Sequence, residues 1–122
     1  MKTFQVTVCY PAVKEVSYTI EGNTDGEVLK KVFAQWNYGS GLECETFLNT
    51  FVRSLSVNDV VIVDGVYYQC GLFGWDIITK KDYEDLCEEV RKSQYNNPPT
   101  MPGAYVALQL ATKSRQDKTI NN

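Results

Sequence analysis

The stretch SVNDVVIVDGVYYQCGLFGWDII, residues 56–78, decides the fold class. Ser56 to Asp59 reads as a turn, with Asn58 the residue able to take a left-handed conformation. VVIV follows as a short strand. Asp64-Gly65 is a strong two-residue hairpin signal, because both positions tolerate positive φ. VYYQC is then the return strand. Gly71 and Gly74 bracket Leu72 and Phe73 and allow a second tight bend into a third strand, near WDII. Three short strands joined by turns this tight must pair antiparallel.

The flanking sequence extends this meander. FQVTVCY places Phe4, Val6, Val8 and Tyr10 on one face and Gln5, Thr7 and Cys9 on the other. VSYTI repeats the alternation, so residues 3–21 read as a hairpin. Thr24 and Glu27 fit a capping box that opens a helix with Leu29, Val32, Phe33 and Trp36 at helical spacing. That helix is expected to end near Tyr38, ahead of Gly39 and Gly41, with Trp36 partly buried. GLECETFLNTFVRSLS offers a short helical run carrying Phe47, Leu48 and Phe51. Thr79 caps a further helix whose buried stripe is Tyr83, Leu86, Cys87 and Val90. Its first turns are acidic, and Arg91 and Lys92 lie near its end. A loop rich in proline, residues 95–103, precedes a last strand at 104–110. The class is α+β: one mostly antiparallel sheet in the order β-β-α-β-β-β-α-β with two helices. Residues 1–112 form a single domain and residues 113–122 a polar tail.

The whole chain has 122 residues, a net charge of -3, 12% aromatics and no histidine. The negative balance argues against general nucleic-acid binding. No stretch is long and apolar enough to span a bilayer, and the first residues lack the continuous apolar run of a signal peptide, so a cytoplasmic location is expected. The four cysteines are widely spaced, without a CxxC pair. Cys9, Cys70 and Cys87 read as small core residues, and Cys44 as the exposed one. Without histidine, the commonest general base and metal ligand are missing, so neither an enzyme, a metal site nor a cofactor is expected.

Arg53, Ser54, Leu55, Ser56, Val57, Asp59, Val60, Val61, Gly65, Tyr68, Cys70, Gly74 and Trp75 together resemble a pattern of YodL-like domains and related small proteins of phages, plasmids and cyanobacteria. The resemblance covers about a fifth of the chain, and that family more often has Gly at the position of Asn58. It implies an accessory protein of a mobile element or its host and implies no reaction.

Two readings of function follow. In the first, the chain is a non-enzymatic protein that binds or sequesters a nucleotide-derived signal, blunting host defence. The ligand would lie among Arg53, Tyr68, Phe73, Trp75 and Trp36, at a site a homo-oligomer could share. An aromatic platform contributes roughly 1–3 kcal/mol per stacked base. Micromolar affinity requires about 8 kcal/mol, so phosphate contacts from an arginine would be needed as well. A surface or capping ion pair, for which Asp59 is a candidate partner, is the weightier competing role for Arg53, and core packing is the competing role for most of the aromatics. Tyr67 and Tyr68 point to opposite faces, so both are covered only if both faces of the sheet are. In the second reading, the chain is an adaptor or inhibitor of a host protein. It would dock through the acidic helix 80–92, which carries Asp82, Asp85 and Glu89, or through an open sheet edge.

Overall fold

The structure is a computed structural model and describes residues 1–96. Its elements run β1 (Lys2–Tyr10), β2 (Lys14–Gly22), α1 (Asp25–Gln35), α2 (Glu45–Thr50), β3 (Val60–Val63), β4 (Val66–Gly71), β5 (Gly74–Ile78) and α3 (Lys80–Asn96). The five strands form one sheet in the order β2-β1-β3-β4-β5, and every neighbouring pair is antiparallel. The class is α+β, as the turns demanded. The expected strand at 104–110 and the tail at 113–122 lie outside the described residues.

The turn chemistry sets the register. Asn58 takes φ 79° and Asp64-Gly65 take φ 46° and 85°, the left-handed pair a tight hairpin needs. Asp64 also holds the hairpin to β1: its N–H donates to Gln5 O (2.9 Å), and its carboxylate accepts from Gln5 N (2.8 Å). Val63 therefore lies beside both Val66 and Val6.

Strand alternation then loads both faces of the sheet. On one face Phe4, Val6, Val8 and Tyr10 of β1 pack with Val28, Leu29, Val32 and Trp36 and with Phe47 of α2. On the other, Cys9 and Val60 pack with Tyr83, Leu86 and Cys87 of α3. The predicted α3 stripe is buried throughout. Its start carries a complete capping box: Thr79 N donates to the Asp82 carboxylate and Asp82 N donates to Thr79 Oγ1, each at 3.0 Å. The box that opens α1 is half made. Glu27 N donates to Thr24 Oγ1 (3.2 Å), while the Glu27 carboxylate is occupied by Asn23 and Lys31.

The structure departs from the sequence reading between the two sheet halves. Among the described residues there are three helices rather than two, because the 45–50 run closes into α2. Only Phe47 of its apolar residues is buried. Leu48 faces solvent, and Phe51 ends the helix at φ 59° with its ring exposed. Helix α1 stops at Gln35, not near Tyr38, because the next loop supplies its last carbonyls with partners: Cys44 N donates to Gln35 O (3.2 Å) and Leu55 N to Trp36 O (2.9 Å). Cys44 is half-buried against the core instead of exposed. Cys9, Cys70 and Cys87 are buried free thiols.

Candidate functional site at the β5 edge

The expected site residues separate into two groups. Trp36 corrects the sequence reading: it is wholly buried among Tyr10, Tyr18 and Phe47 and presents no surface to a ligand. The physical reason is that its one polar atom is satisfied inside. Its indole N–H donates to Tyr18 Oη (3.0 Å), which itself donates to Gln35 Oε1 (2.9 Å).

Arg53 is held by Asp59 through two parallel bonds, Nη1 to Oδ2 at 2.7 Å and Nη2 to Oδ1 at 2.9 Å. Nη1 also donates to Ser54 O and Ser56 Oγ, and the guanidinium lies 5.0 Å above the Tyr10 ring. Asp59 is only 2% exposed. Burial pushes its carboxyl upward, and the guanidinium together with the Ser56 N–H (2.8 Å) draws it back. The loop is pinned on both sides: Tyr10 Oη donates to Arg53 O (2.6 Å) and Cys70 N to Asp59 O (2.8 Å). The Arg53–Asp59 pair thus ties the loop before β3 to β1 and β4; Asp59 is the partner the sequence suggested, but the pair is largely buried and not at the surface.

Tyr68 is half-buried, and its hydroxyl donates to the Asp25 carboxylate at the start of α1 (2.6 Å). That bond pushes the phenol up to about 12. Tyr67, on the opposite face, packs on Tyr83 with ring centroids 5.6 Å apart. Both tyrosines are engaged because helices cover both faces.

Phe73 and Trp75 come together at the β4–β5 turn. Leu72 and Phe73 form its tip between paired Gly71 and Gly74, and Gly74 adopts φ 139°, a conformation that L residues rarely take. Phe73 is fully exposed, Leu72 is 81% exposed and Ile77, on the same face as Trp75, is 71% exposed. Trp75 meets Phe33 of α1 edge-to-face at 6.2 Å. Phe33, Cys70, Gly71, Leu72, Gly74 and Trp75 line a cleft of about 250 Å³ that contains no charged side chain. Phe33 brings α1 to Trp75, while Leu72, Phe73 and Ile77 stay exposed among the described residues.

Among the described residues, the outer backbone of β5 is unpaired as well. Pairing across a two-residue turn alternates, so the Val63↔Val66 closure directs the Val66, Tyr68 and Cys70 amides to β3. The Cys70 N to Asp59 O bond agrees with this phase. Tyr67, Gln69 and Gly71 then bond across to Ile78, Asp76 and Gly74. The N–H and C=O groups of Trp75 and Ile77 consequently point away from the sheet, where no described strand lies.

The second surface is the acidic helix. A groove of about 600 Å³ between α3 and β2 is lined partly by Glu15, Tyr83, Glu84, Asp85, Glu88 and Arg91. Three of the four carboxylates that line it are engaged, two of them in exposed ion pairs. Tyr83 donates to Glu15 (2.6 Å), Lys81 pairs with Asp85 (3.3 Å) and Arg91 with Glu88 (3.4 Å). Asp82 is spent on the cap, whose N–H bonds hold its carboxyl below the usual carboxylate range. Among the described residues no cluster of cysteine and carboxylate groups has the form of a metal site, and no helix is long and apolar enough to cross a membrane.

Of the expected site residues, Phe73 and Trp75 come together at this tip, and Leu72, Ile77, Phe33 and Asp76, which the sequence reading did not single out for the site, lie beside them. The signal was present in GWDII, where Trp75 and Ile77 share one face and Asp76 lies on the other. No family model matches the chain, and no curated protein or solved structure is significantly similar to it.

Proposed function

We propose that this chain is a non-enzymatic protein-binding module that engages a partner protein through the β4–β5 tip and the edge of β5. The observation that carries the reading is the coincidence there of exposed apolar side chains, Leu72, Phe73 and Ile77, with outward backbone groups at Trp75 and Ile77. A strand added to a sheet edge uses both at once: main-chain bonds for affinity and alternate side chains for specificity. Of the two functional readings, the adaptor or inhibitor is therefore preferred, with the sheet edge as its surface rather than the acidic helix.

A nucleotide-derived ligand has less support. The cleft beside Trp75 lacks a cation to meet a phosphate, its volume falls below the roughly 300–1,000 Å³ of small-molecule sites, and Arg53 is committed to Asp59. An accessory role in a phage, mobile element or host, which the YodL-like resemblance implies, is compatible with a surface that blocks or recruits a host protein.

The test is affinity capture with matched variants. A partner retained by the natural chain is expected to be lost with Phe73→Asp or Ile77→Asp and kept with Glu84→Lys combined with Asp85→Lys. Loss on the helix variants alone would move the site to α3 and overturn this reading.

A further inference from the structure

The β5 edge carries one charge, and its position restricts what can dock there. Asp76 is central in the five-residue strand and exposed, and among the described residues its carboxylate has no hydrogen-bond or ion-pair partner. Its side chain lies on the face opposite Trp75 and Ile77.

An antiparallel strand that uses the outward groups of both Trp75 and Ile77 must place two of its residues directly opposite them. The residue between those two then faces Asp76 in a non-hydrogen-bonded pair, the geometry in which opposed side chains approach most closely. A second copy of this chain meets that condition in one two-fold register, with Trp75 opposite Ile77 of the copy and Ile77 opposite its Trp75. In that register Asp76 faces Asp76. Neighbouring registers that separate the two carboxylates leave half of the outward groups unpaired. A charge at this position is a device that stops edges from joining their own kind.

Resting on the docking reading above, we infer that Asp76 selects the partner: the occupant of the β5 edge is an antiparallel strand of another protein with a lysine or arginine between two apolar residues. The apolar residues continue the Trp75–Ile77 face, and the cation meets Asp76 on the other. The same carboxylate disfavours a second copy of this chain.

The probes are two end-capped peptides, Ser-Thr-Val-Arg-Val-Thr-Ser and its counterpart with glutamate in place of arginine. Each is titrated to millimolar concentration against the isotope-labelled full chain while the Trp75 and Ile77 amide resonances are followed. The arginine peptide is expected to bind about fivefold tighter than the glutamate peptide. In Asp76→Lys, a surface change that leaves the core intact, the order is expected to reverse. Equal binding of the two peptides to both proteins would retain the edge as a docking site and overturn selection by Asp76. If neither peptide shifts Trp75 or Ile77 in either protein, the docking reading falls, and this inference with it. A natural chain that dimerises in sedimentation with protected Trp75 and Ile77 amides would overturn the selection against a second copy.

Discussion

Residues 53–59 and 71–77 belong to one continuous stretch, yet the molecule treats them in opposite ways. The first is mostly polar and carries an arginine and an aspartate, and its ion pair is sheltered: Asp59 is 2% exposed and both of its oxygens are bonded to Arg53. The second is apolar and aromatic, and it is wet, with Phe73 at full exposure. Residue type alone would reverse these assignments. The Arg53–Asp59 pair is sheltered because its loop is held from both sides, by Tyr10 on β1 and by Cys70 on β4. The tip is exposed because α1 ends its cover at Phe33 and no described strand lies outside β5. A charged group can be structural where its bonds are complete, and an apolar group is available for docking where its neighbours run out.

This contrast can be broken most directly in the core that supports the loop. Trp36→Ala is expected to cost about 3–5 kcal/mol in denaturant unfolding, since it empties the pocket between Tyr10 and Phe47. Arg53→Ala should approach the same range, roughly 3 kcal/mol, because it leaves the Asp59 carboxylate buried and unpaired. Replacing Arg53 and Asp59 together with Met and Leu should restore much of that loss. If Arg53→Ala unfolds like the natural chain, the loop is not held as described.

Alkaline titration sharpens the contrast without mutation. Burial pushes the Cys9 thiol up to about 12, and it also raises Tyr10, Tyr18 and Tyr83. These groups stay protonated in the folded chain at a pH where the unfolded chain ionises. The unfolded state therefore binds fewer protons, and stability falls as pH rises. The Cys9 contribution is constant below about pH 9 and is lost from there towards pH 12, at up to about 1.4 kcal/mol per pH unit. Urea midpoints measured from pH 7 to 11 should fall accordingly; a flat profile would contradict the burial of these groups.

The smallest stability effect belongs to the tip. Phe73→Asp should change stability by less than about 0.5 kcal/mol, because the ring touches little, while abolishing partner capture. A large loss of stability would mean that Phe73 is packed, and the comparison between the two regions would collapse.

Much of the framework was legible in the residues. Asp64-Gly65 and Asn58 read directly as turns because few residues accept positive φ, and the Thr79–Asp82 cap and the α3 stripe followed from local spacing. Helix α2 was less legible, since six residues carry too weak a period and Phe51 shares its apolar character while pointing to solvent. Trp36 was misplaced because its burial depends on Tyr18, which comes from a strand 18 residues earlier in the chain.

By itself, the sequence determined the turns, the antiparallel hairpins and the two-faced alternation, because these depend on φ preferences and side-chain period within a few residues. Tertiary structure alone decided which charges are consumed, which aromatics are dry and, among the described residues, which strands form the sheet edges. Those outcomes depend on partners distant in the chain and on where a covering helix happens to stop. For the candidate site, the decisive feature is the backbone of Trp75 and Ile77 beside Asp76, which no described strand pairs and which is visible only once β4 has claimed the alternate residues of β5.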